Sequence, residues 1–295
     1  METSSYFIPH KALFGSMPDQ NRAEILENLG VVYFIDLTSP KDVRISHYIT
    51  KYTKIKFPIQ DRKIPRDLVS FSKFIYMVYQ LIKSLKDKEK IYIHCKGGHG
   101  RSGVVVACLL CLYLKIPPEY ALDLTRYYHQ QRKEMRDKWR RIGSPQTFMQ
   151  KDVVLKLFHP VYFNSKINTY MSNSFKCEIS VENVGVFPNV EAAYQAMKNP
   201  KNTEYIEQLK SAKTIKEIKM LGKSVKLRHD WSNVKEETMY KLVKQKFEKN
   251  EELRSNLLNT YLGPIIYLSV LKTFWKDKEH NRMGKLLQRI RKELV

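Results

Sequence analysis

Short apolar runs and longer stretches at helical spacing alternate through the first half of this 295-residue chain. Val31 to Thr38, Ile55 to Ile59 and Ile91-Tyr92-Ile93 read as strands, the last alternating like a buried one. From Arg66 to Lys86, residues Leu68, Phe71, Ile75, Val78, Ile82 and Leu85 share one stripe, which predicts a helix covering a sheet. Val104 to Leu114 is continuously apolar, as in a buried helix, and Lys151 to Phe158 predicts a closing helix. Residues 1–159 therefore read as an α/β domain, a central sheet flanked by helices, with a boundary at His159-Pro160. Residues 160–295 read as a second, mostly α-helical domain. Phe187 to Lys198 is a turn entering a helix, and Met239, Leu242, Val243 and Phe247 mark one face of a later amphipathic helix. The length agrees with two domains.

The candidate chemistry lies where the buried strand meets the buried helix. There the chain reads His94-Cys95-Lys96-Gly97-Gly98-His99-Gly100-Arg101-Ser102-Gly103. Backbone N–H groups of a glycine-permitted loop converge on one point, and the helix start behind them adds its positive dipole end. A phosphate fits that cradle, lined by Lys96, Gly97, Gly98, His99, Gly100 and Arg101, and a thiol placed there is stabilised as its thiolate. Cys95 is the expected nucleophile, and Arg101 has the planar fork that clamps phosphoryl oxygens. The Ser102 hydroxyl is placed to donate to the departing Cys95 sulfur, and His94 to orient the loop. Thiolate attack expels an oxyanion, so an acid must come from elsewhere. Asp61, in the proline-bracketed loop Phe57 to Pro65, is the candidate for acid and then base; the alternative is an N-cap of the helix near Arg66.

On these residues the stretch from about Phe7 to Phe158 resembles the dual-specificity branch of the cysteine-based protein tyrosine phosphatases. It matches at His94-Cys95 through Arg101-Ser102, at the Pro-Ile-x-Asp loop ending at Asp61, at the strand from Val31 to Thr38, and at Ser144-Pro145-Gln146. The resemblance implies hydrolysis of phosphotyrosine and phosphoserine or phosphothreonine through a phosphocysteine intermediate, with a phosphoprotein as substrate. Because Lys96 and His99 put two basic side chains in the loop, a phosphoinositide or an RNA 5′ end is the competing substrate class. A pseudophosphatase, with the second domain as its working part, is the other alternative.

Charge and cysteine content set the surroundings. The formal charge of +22 is shared evenly by the two halves. The densest cluster, Arg132, Lys133, Arg136, Lys138, Arg140 and Arg141, reads as one solvated helix face that also carries Tyr127, Tyr128 and Trp139. Attraction to nucleic acid or acidic lipid is the other reading of that patch. Four scattered cysteines argue against a disulfide scaffold, and Cys108 and Cys111 read as core. No signal-peptide pattern or membrane span is evident, so the expected location is cytoplasmic or nuclear. No metal-ligand pattern appears, and the thiolate, arginine and backbone need neither metal nor organic cofactor.

The second half carries Ser172-Asn173, a Pro-x-x-Glu-x-x-Tyr-Gln-Ala-x-Lys segment from Pro188 to Lys198, Asp230-Trp231, and Lys246-Phe247-x-x-Asn250. On these it resembles the YbiA-like or NADAR family from about Tyr162 onward, implying N-glycoside hydrolysis on ADP-ribose-type ligands. An ADP-ribosylated nucleotide or nucleic acid is the implied partner. Glu191 and Lys198 stand seven residues apart, two turns along one helix face, where an amine and a carboxylate serve cleavage of a ribose C1–N bond. Trp231, Trp275 and Asp277 complete the candidate site, the tryptophans as walls for a base or ribose. The chain departs from the family at Trp275-Lys276-Asp277-Lys278, where glycines are usual, and at Tyr267, where an acid is usual. The resemblance thus leaves two readings of this domain, binding and hydrolysis.

Overall fold

The computed structural model describes residues 2–44, 46–269, 273–276 and 280–294. They form two compact units, Met1–His159 and Pro160–Val295.

The first unit runs β1 (Ser4–Ile8), β2 (Ala12–Ser16), α1 (Gln20–Asn28), β3 (Val31–Asp36), β4 (Thr53–Lys56), α2 (Leu68–Ser84), β5 (Lys90–Cys95), α3 (Arg101–Leu114), α4 (Pro118–Gln130), α5 (Asp137–Ile142) and α6 (Phe148–Phe158). Its five-stranded sheet has the order β1-β2-β5-β3-β4, with only β1 antiparallel to its neighbour. β5 lies at the centre because Ile91, Tyr92 and Ile93 are buried on both faces. Parallel pairing sets Ser16 opposite Cys95 and Asp36 opposite His94. Three carboxyl ends thus meet at one sheet edge, where ligands of α/β sheets bind.

The helices cover this sheet as their apolar spacing predicts. Phe71, Ile75, Val78 and Ile82 of α2 are buried, as is α3 from Arg101 to Cys111. Cys108 and Cys111 lie in that core, their thiols pushed up by burial. Asp67 caps α2 by accepting from the N–H groups of Val69 and Ser70, which frees Asp61 from that duty. The α6 helix starts three residues before the predicted Lys151, at a capping box of Thr147 and Gln150. β4 ends at Lys56, short of the predicted Ile59. The chain beyond it leaves regular pairing at Pro58, although Phe57 and Ile59 still donate to the Asp36 and Leu37 carbonyls.

The basic cluster does not form one helix. α4 stops at Gln130 and α5 begins at Asp137, so Arg132, Lys133 and Arg136 lie in the connection or at its end. That break lets Arg132 turn inward to 2% exposure, over the Phe14 ring at 4.4 Å, while its carbonyl accepts from Arg140.

The second unit contains β6 (Val161–Phe163), β7 (Ile179–Val181), β8 (Gly185–Phe187), α7 (Val190–Ala196), α8 (Thr203–Ser211), α9 (Ile215–Ser224), α10 (Trp231–Glu248), α11 (Glu251–Leu258), β9 (Ile265–Tyr267) and α12 (Arg282–Glu293). β6 pairs with β9 in parallel, and β7 with β8 antiparallel. The helices enclose a core that includes Met239, Leu242, Val243 and Phe247, the predicted face of α10. No helix among the described residues is long and apolar enough to cross a membrane.

Candidate active site

Cys95 ends β5 and Arg101 opens α3, so the loop between them bridges the sheet edge and a helix N-terminus. Gly100 occupies the N-cap without a side-chain hydrogen bond, which leaves the helix start open to a ligand. Gly98 has φ of +71°, and a Cβ there would stand 2.2 Å from the Gly15 carbonyl carbon. Only glycine lets the loop lie so close to the end of β2. From the other side Ser144 Oγ donates to the His99 carbonyl at 2.5 Å, and the Lys96 carbonyl accepts from Met17 N at 3.1 Å.

Arg101 is 1% exposed, and its guanidinium is held on three sides. One terminal nitrogen donates to Asp42 Oδ2 at 2.5 Å and to the Ile59 carbonyl at 2.9 Å; the other donates to Asp61 Oδ1 at 3.0 Å. The Asp42 side chain is 3% exposed and that of Asp61 57%. Asp42 is therefore the fixed partner, while Asp61 sits at the mouth. Arg101 Nε is buried without a hydrogen-bond partner. With the nitrogen facing Asp61 it makes a fork suited to two phosphoryl oxygens. Ser102 Oγ is likewise buried and unpartnered.

His94 is fully buried beneath the loop, and burial pushes its imidazole well below the usual range. Its Nδ1 stands 3.9 Å from Asp36 Oδ1 and its Nε2 is 2.7 Å from the Tyr48 hydroxyl. A carboxylate beside Nδ1 favours the proton there, so Nε2 accepts from Tyr48. Burial also raises the phenol, which keeps that donor protonated.

The two basic side chains of the loop are both engaged by protein partners. His99 Nδ1 is 2.8 Å from His129 Nε2, and its ring stacks on Trp139 at 5.1 Å. Burial pushes His99 down to about 4 and His129 to about 3, so both are neutral near pH 7. Lys96 Nζ donates to the Val43 carbonyl at 2.7 Å. Arg101 is consequently the charged group of the loop that the Asp42 and Asp61 carboxylates hold in place.

In the second unit Glu191 lies in the first turn of α7, where its Oε1 accepts from Gln195 at 2.9 Å. Lys198 is two residues past the helix end rather than on its face, because Pro200 follows and Lys198 N turns back to the Gln195 carbonyl. Its amine donates to the Gly222 carbonyl of α9 and still feels the Glu191 charge; burial lowers it below the ordinary 10.5. Gly222 permits this approach of α9, since a Cβ there would overlap Gln195 Oε1 at 1.9 Å. Trp231 is only 7% exposed and packs at 5.1 Å on Tyr194, so of the two expected walls Trp275 keeps more open surface. Trp275 lies 5.9 Å from the same Tyr194 ring. Asp277 lies outside the described residues.

Sequence reasoning missed Asp42, Tyr48, Arg132 and Tyr194. A carboxylate shortly after the β3 strand was the only available signal for Asp42, and nothing in its spacing tied it to Arg101. Tyr194 stood inside the quoted Tyr-Gln-Ala segment.

Comparison with known proteins identifies the family of each unit. A family model described as the phosphatase domain (DSP-PTPase) of Swiss Army Knife proteins matches residues 1–152, and the NADAR domain model matches residues 161–295. Protein 197R of Invertebrate iridescent virus 6, named as a tyrosine phosphatase, is 44% identical over 45% of this chain and 54% of its own length. The chain thus spans about half of that relative. Protein 067L of Invertebrate iridescent virus 3, similarly named, is 36% identical over 60% of this chain and 74% of its own. The N-glycosidase YbiA of Escherichia coli K12 is 32% identical over 37% of this chain and 71% of its own.

Two buried histidines, His94 and His129, and the half-buried His99 are held neutral and make the fold acid-sensitive. The folded values of His94, His99 and His129 lie below the unfolded value near 6.5, so their contribution is complete above that pH. It is lost as pH falls from 6.5 toward 4, where the unfolded chain binds protons the folded one refuses. Each histidine should contribute a slope of about 1.4 kcal/mol per pH unit. Urea unfolding at pH 7, 6 and 5 should show this decline, and His99→Gln/His129→Gln should flatten it.

Proposed function

The chain belongs to the dual-specificity-type cysteine phosphatases through its first unit and to the NADAR family through its second, and from that premise we propose a phosphatase at residues 1–159 joined to an N-glycosidase-type domain at residues 160–295. The observation that carries the phosphatase reading is the Cys95–Arg101 loop, with the unpartnered Arg101 Nε, the unpartnered Ser102 Oγ and Asp61 at its mouth.

A phosphoryl group enters with its oxygens on the loop N–H groups and on the Arg101 fork, displacing Asp61 from the guanidinium. The Cys95 thiolate attacks phosphorus in line, and Asp61, which takes up a proton from solvent once free of the guanidinium, passes it to the leaving oxygen. Arg101 stabilises the equatorial charge, held in roll by Asp42 and the Ile59 carbonyl. Water then attacks the phosphocysteine with Asp61 as base, and Ser102 donates to the departing sulfur. Neutral His94, fixed by Tyr48 and Asp36, keeps the loop in shape. The neutral His99, and the Lys96 amine engaged by the Val43 carbonyl, weaken the case for a phosphoinositide or RNA 5′ end, which supports phosphotyrosine and phosphoserine or phosphothreonine in a protein.

In the second unit the Lys198 amine attacks ribose C1 as the base departs, opening the sugar to a Schiff base, while Glu191 moves the protons. Trp275 walls the ligand, an ADP-ribosyl nucleotide or nucleic acid. The lowered amine beside a carboxylate supports this reading.

Cys95→Ser should abolish phosphate release from phosphopeptides, and Asp61→Asn should slow it roughly a hundredfold or more on poor leaving groups but far less on para-nitrophenyl phosphate. Full activity of the serine variant would refute the mechanism. Asp42→Asn should lower kcat/KM by roughly tenfold to a hundredfold, the value of one buried charged hydrogen bond, measured by initial rates. Cleavage of ADP-ribosyl nucleosides should rise with pH through the lowered Lys198 value and vanish in Lys198→Arg, read by release of free base. Activity retained in that variant would exclude the Schiff base.

A further inference from the structure

A cavity of about 660 Å³ lies beside the phosphate loop, between the Ser39–Pro40–Lys41 turn and the Phe57–Asp67 segment. It adjoins the reaction centre through Ile59, whose carbonyl accepts from Arg101, and its lining runs to Gln60 and resumes at Lys63, on either side of Asp61 and Arg62. Phe57, Pro58 and Ile64 give it an apolar floor, and Lys41, Lys63 and Arg66 line it as cations. None of these three cations makes an ion pair among the described residues. The two acids at hand are engaged: Asp67 caps α2 and bonds Ser70, and Asp61 holds Arg101. Gln150 anchors the segment from behind by donating to the Lys63 carbonyl at 3.3 Å. The cavity therefore combines apolar area with an excess of positive charge, three cations against the Asp67 carboxylate in the lining, next to where a leaving group would exit.

We propose that this cavity anchors an acidic peptide segment flanking the phosphorylated residue of a protein substrate, with one apolar side chain on the Phe57–Pro58–Ile64 floor and carboxylates on Lys41, Lys63 and Arg66. The proposal rests on the phosphatase reading above. A peptide fits better than a nucleic acid because the only lining aromatic, Phe57, is stacked on Phe74 at 4.4 Å and has no free platform for a base.

The test compares two phosphotyrosyl peptides on the full chain, one flanked by glutamates and a leucine, the other by glutamines and the same leucine. Para-nitrophenyl phosphate serves as a substrate that cannot reach the cavity. Wild type should favour the acidic peptide roughly tenfold in kcat/KM at low ionic strength, and lose that preference in high salt. Lys41→Glu/Lys63→Glu/Arg66→Glu should reverse the preference while turnover of para-nitrophenyl phosphate stays within about twofold of wild type; the charge-neutral Gln triple variant should abolish it. Equal rates on the two peptides, with para-nitrophenyl phosphate still hydrolysed, would overturn this inference alone. No hydrolysis of any of the three would overturn the phosphatase reading with it. A 5′-phosphorylated oligonucleotide that competes better than the acidic peptide, and does so only with the three cations intact, would assign the cavity to nucleic acid instead.

Discussion

A buried guanidinium must be paired, and the first unit is arranged around that demand. Arg101 is forced inward because it opens α3, whose apolar face is the core of the domain. An unpaired charge there would cost several kcal/mol. Asp42 meets it from the loop after β3, the Ile59 carbonyl from the segment after β4, and Asp61 from the same segment further on. One side chain therefore ties two otherwise separate stretches to the helix start through three contacts.

The same pairing leaves chemistry available. Saturating the guanidinium with fixed partners would make it a structural cation. Here Nε is left without a partner and one terminal nitrogen is held by a carboxylate at the surface. In the proposed mechanism the oxygens of an incoming phosphate would replace that carboxylate, so that the charge stays compensated while Asp61 turns toward the leaving group. Stability and reactivity thus draw on one geometry.

The second unit meets its own demand differently. Its candidate amine is lowered by burial rather than by a nearby cation, and the burial comes from α9 closing over α7 at Gly222. Gln195 holds Glu191 from the same helix, and its Oε1 lies against Gly222 without a partner. The amine lies in the turn that continues α7, where Lys198 N donates to the Gln195 carbonyl, and there it feels the Glu191 charge.

Local pattern determined a great deal about this protein. The apolar stripe of α2, the continuous run of α3 and the glycine-rich loop between Cys95 and Arg101 were legible because each depends on residues close in sequence, under helical periodicity, strand burial or glycine's freedom at positive φ. Resemblance added both families. What only the tertiary structure decided was which distant groups meet: Asp42 on Arg101, Tyr48 on His94, and Tyr194 between two tryptophans. It also decided protonation and direction. His99 read as a basic side chain of the phosphate loop and Arg132 as part of a solvated face, yet one is a half-buried neutral ring on Trp139 and the other a guanidinium over Phe14. Sequence carries the type of a side chain, whereas desolvation and pairing are properties of the space it enters, and that space is assembled from segments far apart in the chain.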